Sequence, residues 1–325
     1  MNKNKLYPLK FSPILKERLW GGSKLRDLLG KSIPNNQTGE SWELSGVPGD
    51  ISVVSNGSLN GKDLQQLIDE YGDYLLGKAV TSAFGRNFPI LIKFIDAAKD
   101  LSIQVHPNDE LAQERHNSMG KTEMWHVMDA DEDARLIIGF KKELSTEEYI
   151  SSLQANHLPD LLHEEKVNKG DTFMINAGRV HAIGAGVLLA EIQQTSNITY
   201  RIYDFNRRNK DGELRELHTQ EALDAIDYSA DQDFRVRYRE SLGVSNTMVR
   251  SPYFNTDYLR LEQNKPMDLK ERSSFSIYIC VSGKAVLQTE SAKVPIGLGE
   301  TVLIPASIHD LMILTTDVTL LEVTI

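Results

Sequence analysis

Residues 101–109, Leu-Ser-Ile-Gln-Val-His-Pro-Asn-Asp, are the stretch around which the rest of this sequence is organised. Their apolar positions predict a short buried strand that runs into a loop. Because successive side chains of a strand point to opposite faces, we expect Gln104 and His106 on the same face. Their amide oxygen and imidazole nitrogen would then offer two lone pairs to a common point.

Two later residues extend this pair to a candidate metal site. Glu123 follows in the next apolar segment, and His181 follows a glycine-rich turn. Zinc and related divalent ions take imidazole nitrogen and carboxylate oxygen, and catalytic sites keep one position open for water or substrate. Gln104, His106, Glu123 and His181 supply such a set, although strand periodicity alone does not bring them together.

Composition indicates a soluble globular protein, long enough for two domains, that does not bind polyanions such as nucleic acid non-specifically. The 325 residues are 40% hydrophobic and carry a net charge of −10. Nucleic acid and anionic membranes both need a basic surface, so we expect neither as a partner. The basic start is not followed by an apolar segment, and no window approaches the roughly 18 apolar residues of a membrane span. The single cysteine, Cys280, favours a reducing compartment, and we expect a cytoplasmic protein.

Strand patterns dominate the chain and predict a mainly β fold. After about residue 240 every segment is strand-like, whereas the earlier part also carries helical patterns at 60–77, from a capping box at Ser145 to about Ala155, and from Thr219 to Ile226. Many short strands separated by turn residues are typical of a sandwich or jelly roll. We place a domain boundary near residue 240.

An internal repeat supports two copies of one β unit. Residues 170–178 (GDTFMINAG) resemble residues 299–307 (GETVLIPAS), and each segment leads to a histidine, His181 or His309. Each copy is a glycine turn, an acidic residue, an apolar strand and a small-residue turn. We interpret His309, which has no partner set around it in the sequence, as a structural counterpart of His181.

Several motifs resemble one enzyme family. KTEMWHV at 121–127 and NAGRVHAIGAGVLLAEIQQTSNITYRIYDFNR at 176–207 follow the opening stretch, and WGG at 20–22 and GESWELS at 39–45 precede it. In this order they resemble the zinc-dependent type I mannose-6-phosphate isomerases (phosphomannose isomerases) in their short bacterial form. The resemblance implies two cupin-type jelly-roll barrels with a few inserted helices. It makes residues 1–240 the catalytic metal-binding domain and 241–325 a cupin-like jelly roll without a metal site.

The same resemblance assigns roles to individual residues. One divalent ion, Zn²⁺, is implied by the ligand set Gln104, His106, Glu123 and His181. The catalytic residues are Arg201 and Glu191, and the substrate-binding residues are Lys93, Ser102, Lys121, Trp20 and Arg207. Arg207 stands where the family often has lysine, which leaves open the cation that holds the phosphate.

The implied activity is an aldose–ketose isomerisation. A monomer or homodimer would interconvert D-mannose 6-phosphate and D-fructose 6-phosphate through an enediol or enediolate. The general base stays open between Glu191, a metal-bound water and a histidine. Two alternatives also stay open: a cupin-fold iron-dependent oxygenase, which likewise uses two histidines and a carboxylate, and a non-catalytic sugar-binding jelly-roll protein. The amide ligand Gln104 argues against the first, and Arg201 beside an intact ligand set argues against the second.

Overall fold

The computed structural model describes residues 6–209, 211–230 and 234–325. Within them the predicted mainly β fold is confirmed, because strands far outnumber helices. The strands are β1 (Ile14–Gly22), β2 (Thr38–Leu44), β3 (Ile90–Ala97), β4 (Ile103–Val105), β5 (Glu123–Ala130), β6 (Arg135–Phe140), β7 (Leu162–Lys166), β8 (Thr172–Ile175), β9 (His181–Ile183), β10 (Val187–Gln194), β11 (Tyr200–Tyr203), β12 (Ser245–Arg250), β13 (Asn255–Leu261), β14 (Lys265–Asp268), β15 (Ser276–Gln288), β16 (Lys293–Gly297), β17 (Thr301–Ile304) and β18 (Asp310–Thr324). The α-helices are α1 (Lys24–Asp27), α2 (Leu64–Tyr71), α3 (Asp73–Leu76), α4 (Lys78–Phe84), α5 (Asp109–His116), α6 (Thr146–Gln154) and α7 (Thr219–Leu223), and short 3-10 turns cover Gly57–Leu59 and Leu158–Leu161.

Contacts divide the described chain into two compact units. The central unit consists of Leu15–Ser41 and Lys93–Val236. The terminal unit consists of the described residues up to Ile14, together with Trp42–Ile92 and Arg237–Ile325. The part of the chain before residue 240 therefore contributes to both units, and the functional division into 1–240 and 241–325 stays a prediction.

The central unit is a sandwich of two antiparallel sheets. It holds the five-stranded sheet β11-β4-β9-β6-β7 and most of the six-stranded sheet β1-β2-β3-β10-β5-β8. Side chains from both sheets share one buried core, including Trp125 and Val127 from β5, Leu136 and Ile138 from β6, and Ile183 from β9. The strands β4, β5, β9 and β10, which carry Gln104, Glu123, His181 and Glu191, all belong to these two sheets.

The terminal unit is built around two long strands, β15 and β18, which pair antiparallel in a seven-stranded sheet. Tyr278 lies opposite Glu322 in this pairing. Although Glu322 is buried, Arg272 neutralises it across 2.6 Å. Cys280 is buried and free in the same strand pair.

The internal repeat appears once in each unit. Its two apolar segments form β8 and β17, which have the same length, and each is followed by the next strand near its histidine. His181 begins β9, whereas His309 directly precedes β18. The repeated sequence pattern therefore corresponds to a repeated strand and turn.

The predicted helices are partly corrected. The segment 60–77 is not one helix, because Gly72 adopts a left-handed φ of 47° and separates α2 from α3. The capping box is confirmed, since the Ser145 side chain accepts from Glu148 N and the Glu148 side chain accepts from Ser145 N. The helix predicted from Thr219 to Ile226 is the shorter α7, which ends at Leu223, and its N-cap is His218, without a side-chain bond. Across the described ranges, no helix has both the length and the apolar content that a membrane crossing requires.

Candidate metal centre

Strand pairing places Gln104 beside His181. The two residues are partners in the antiparallel pair β4–β9, although 77 positions separate them in the sequence. The Gln104 side-chain nitrogen lies 3.3 Å from His181 Nε2. Arg201 on β11 is the partner of Gln104 on the other side of β4. One short strand thus brings three of the predicted residues into register.

His106 and Glu123 approach from two further positions. His106 follows the end of β4, and Glu123 is the first residue of β5 in the opposite sheet. Glu123 Oε1 lies 3.3 Å from His181 Nε2, and Glu123 Oε2 lies 3.7 Å from His106 Nε2. The candidate ligand atoms of His106, Glu123 and His181 all lie within 4.8 Å of one another, and all three residues are buried. The structure therefore brings the four predicted ligands together.

The hydrogen bonds of these residues suit a cation. His181 Nδ1 donates to the Arg179 carbonyl across 2.8 Å, which leaves the Nε2 lone pair directed at Glu123. Burial lowers the pKa of His181 to about 4, so the ring is neutral at pH 7. Two unprotonated acceptors 3.3 Å apart repel each other unless a positive charge lies between them. A histidine oriented through its other nitrogen is also the usual arrangement for a metal ligand. The residues fit a divalent ion.

Lys121 is the cation nearest to this cluster in the chain itself. Its Nζ donates to His106 Nε2 across 3.0 Å and lies 3.2 Å from Glu123 Oε2. Burial opposes its charge, but the neighbouring carboxylates, Glu123 foremost, outweigh burial and raise the pKa of Lys121. Lys121 therefore stays charged beside the candidate ligands.

Glu191 and Lys93 form a second buried pair next to the ligands. Glu191 on β10 is 3% exposed, and its Oε1 lies 3.6 Å from Lys93 Nζ and 4.0 Å from Lys121 Nζ without a hydrogen bond. Burial raises the pKa of Glu191 to about 7 and lowers the pKa of Lys93. Lys93 Nζ donates to Gln193 Oε1 across 2.6 Å. A carboxyl that titrates near neutrality can both accept and return a proton.

The arginines lie at the β11 end of the same sheet. Arg201 is half-buried and donates from Nη1 to the Glu216 carbonyl across 2.8 Å. Arg207 is bound to Asp204, with Nε 3.1 Å from Oδ1, and also donates to the Asp100 carbonyl. The side chain of Arg207 is thus held in place by its neighbours.

Ser102 and Trp20 are both buried. Ser102 is 6% exposed and immediately precedes β4, one residue from its first position. Trp20, near the end of β1, belongs to the buried core that also contains Trp125. The Trp125 ring meets the His181 ring edge-on at 5.3 Å. The predicted substrate contacts of Ser102 and Trp20 stay predictions.

Three buried or half-buried residues of this region were missed by sequence reasoning. The first is Gln193, whose side chain accepts a hydrogen bond from Lys93. It lies two positions after Glu191 on β10, so the alternation of side chains along a strand could have placed it on the same face as Glu191. Asp204 and Arg215 bind each other, with Arg215 Nη1 3.2 Å from Asp204 Oδ1. Their contact depends on how the chain after β11 folds back, for which the sequence carries no local signal.

Two family models and several known proteins match this chain in sequence. The family model "Phosphomannose isomerase type I, catalytic domain" matches residues 8–138, and "Mannose-6-phosphate isomerase, cupin domain" matches residues 245–322. Mannose-6-phosphate isomerase ManA of Bacillus subtilis (strain 168) is 35% identical over 301 residues, which are 92% of this chain and 93% of that protein. This chain belongs to the type I phosphomannose isomerase family.

Further relatives of the family agree in sequence and in fold. Mannose-6-phosphate isomerase of Streptococcus mutans is 37% identical over 248 residues, 76% of this chain and 77% of that protein. The crystal structure of the mannose 6-phosphate isomerase from Bacillus subtilis superposes with a TM-score of 0.89 at 33% identity, covering 98% of this chain and all of the other. The predicted family and the cupin fold are confirmed. Membership implies a divalent metal and a sugar phosphate substrate.

Proposed function

We propose that this protein interconverts D-mannose 6-phosphate and D-fructose 6-phosphate with one zinc ion held by Gln104, His106, Glu123 and His181. The observation that carries the proposal is the convergence of the buried His106, Glu123 and His181, with the half-buried Gln104 paired to His181, within a chain of the phosphomannose isomerase family. Imidazole nitrogen and carboxylate oxygen are the donors that zinc takes in proteins.

A divalent ion would supply electrophilic chemistry, and the residues of the chain would position it. A divalent ion polarises carbonyl and hydroxyl oxygens and stabilises developing negative charge without changing its redox state. The chain orients the side chains that would hold the ion: Arg179 fixes the His181 ring through its carbonyl, and strand pairing fixes Gln104 beside it. Lys121 adds a positive charge within 3.2 Å of Glu123.

Glu191 is the residue we propose for proton transfer. The isomerisation removes the proton on C2 of the aldose and delivers it to C1, while the hydroxyl proton on O2 moves to O1. Burial raises the pKa of Glu191 above its ordinary value, and its Oε1 has no hydrogen bond, so this carboxyl is suited to take up that proton and release it again. Lys93 at 3.6 Å stabilises its ionised form after the proton has left.

The remaining proposed contacts act on substrate charge and position. Arg201 would stabilise the enediolate or the phosphate, since a guanidinium stays cationic and binds oxygens bidentately. The substrate-binding side chains that we propose are Lys93, Ser102, Lys121, Trp20 and Arg207. We also propose the cytoplasm as the compartment, which the buried free Cys280 supports; a monomer or homodimer stays a prediction.

The test is an isomerase assay on chelated protein to which metals are returned singly. The assay couples mannose 6-phosphate conversion to detection of fructose 6-phosphate, and metal content is measured in parallel. We expect activity to disappear on metal removal and to return with zinc at one ion per chain. Full activity in protein shown to be metal-free would refute the proposal. Oxygen uptake with ferrous iron would instead favour the oxygenase.

A further inference from the structure

Three arginines lie together where the chain leaves β11. Arg201 is on the strand itself, Arg207 follows in the next turn, and Arg215 lies on the segment that folds back along both. Arg215 N donates to the Arg207 carbonyl across 3.4 Å, and Arg201 Nη1 donates to the Glu216 carbonyl across 2.8 Å. His218 N donates to the Arg201 carbonyl across 2.8 Å. The backbone therefore fixes Arg215 beside the other two arginines.

One buried carboxylate holds two of these guanidinium groups. Asp204 is 5% exposed, and Arg215 Nη1 lies 3.2 Å from its Oδ1 and 3.3 Å from its Oδ2. Arg207 donates to the same Oδ1 from Nε across 3.1 Å. Arg201, Arg207 and Arg215 together with Asp204 carry a formal charge of +2. The arrangement orients cations and leaves most of their charge unneutralised.

The cluster also has unused hydrogen-bonding capacity. Arg201 Nε is buried and has no hydrogen-bond partner. Burial first, and then the charge of Arg215, lowers the pKa of Arg201. A buried donor without an acceptor and like charges held close together both cost free energy, and an anion bound between them relieves both costs. Glu216, which follows Arg215, is exposed, so solvent screens its charge.

We propose that Arg215, held in place by Asp204, binds the phosphate group of the sugar phosphate together with Arg201 and Arg207. A phosphate monoester carries about −1.5 to −2 charges at pH 7, which matches the formal charge of the cluster. Guanidinium groups present paired donors that fit phosphate oxygens. Arg215 would thus help to distinguish a phosphorylated sugar from a free one. The inference rests on the proposed function for the identity of the sugar, but the anion site depends only on these four side chains.

Arg208 provides a matched control. It lies in the same turn and is exposed, and its Nη1 donates to the Gly212 carbonyl across 2.6 Å. Replacing it removes the same charge from the same loop without touching Asp204. Any general effect of net charge on anion binding will therefore appear in Arg208→Gln as well as in Arg215→Gln.

The experiment compares Arg215→Gln, Arg215→Lys and Arg208→Gln with the wild-type holoenzyme. Calorimetry measures the dissociation constant of inorganic phosphate, the coupled assay measures KM and kcat for mannose 6-phosphate, and thermal melting checks folding. Loss of one charge-assisted contact weakens binding by roughly 10-fold to 100-fold. We expect Arg215→Gln to weaken phosphate binding and raise KM by this same factor, with kcat changed by less than about 3-fold. Arg215→Lys keeps the charge without the paired donors, so its phosphate affinity and KM should lie between those of the wild type and Arg215→Gln. Arg208→Gln should match the wild type in both.

Each outcome decides the matter. Wild-type phosphate affinity in folded Arg215→Gln overturns the inference, as does failure of inorganic phosphate to compete with substrate in the wild type. If Arg215→Gln does not fold, Arg215→Lys decides, and unchanged phosphate affinity there overturns the inference. If phosphate binds through Arg215 but the wild-type protein has no isomerase activity, the anion site stands and the proposed function fails.

Discussion

Replacing Glu191 by glutamine tests both its proposed role in proton transfer and the cost in stability of burying its carboxylate. Glutamine has nearly the same volume but neither ionises nor accepts the substrate proton. Loss of a positioned general base typically lowers kcat by about 10² to 10⁴. We expect Glu191→Gln to lose activity by this factor while keeping its metal, since Glu191 is not among the four proposed ligands. The coupled assay and metal analysis measure the two quantities separately.

The same substitution has a predictable effect on stability. Burial moves the pKa of Glu191 from 4.5 to about 7, a change worth about 3 kcal/mol at 1.36 kcal/mol per pH unit. Because the folded protein holds this proton more tightly than the unfolded chain, the group destabilises the fold progressively as pH rises from 4.5 and fully above about 7. In metal-depleted protein the wild type should therefore lose up to about 3 kcal/mol of unfolding free energy between pH 4.5 and about 7 that Glu191→Gln does not lose.

Urea unfolding between pH 4.5 and 8 measures this difference. Glu191 is mostly protonated below about pH 7, so its ion pair with Lys93 forms only towards the upper end of this range and is already contained in the pKa of Glu191. The pH-independent part of the change reflects packing, and the difference in slope is the informative quantity. Glu164→Gln, at a half-exposed position on β7 of the same unit, is the matched control and should run parallel to the wild type. Parallel curves for Glu191→Gln as well, or a kcat above one tenth of the wild-type value, would refute the reasoning.

Two further substitutions test the site and the scaffold. Arg201→Gln should lower kcat by about 10² to 10³, as for loss of a donor to developing negative charge, while metal content stays at the wild-type level; loss of the metal would instead assign Arg201 a structural role. Gly184→Ala should lower the free energy of unfolding by about 1–3 kcal/mol, because a Cβ there would lie 2.3 Å from the Arg135 carbonyl oxygen. The matched control is Gly297→Ala, where the nearest atom to the added Cβ is 3.8 Å away and the free energy of unfolding should fall little. Gly49→Ala would not serve, because Gly49 has a left-handed φ of 87°. Equal stability of the Gly184 and Gly297 variants would contradict the argument.

Local signals in the sequence were sufficient for several parts of this protein. The alternation around Gln104 and His106 placed both residues on one strand end, and the Ser145 capping box began a helix where the motif indicated. Such features depend on side chains a few residues apart, whose geometry the backbone repeat determines. The repeat at 170–178 and 299–307 likewise predicted the strands β8 and β17, and the motif resemblance identified the family.

Only the tertiary structure decided how distant residues meet. The approach of Gln104 to His181 depends on the register of β4 with β9, and the sharing of Asp204 between Arg207 and Arg215 depends on the path of the chain after β11. The pKa of Glu191 is likewise a property of burial, because removal of water from a carboxyl requires surrounding elements far apart in sequence. The sequence by itself determined which chemical groups are present and on which strand faces they lie. Their distances and charges followed from long-range packing, which no local pattern encodes.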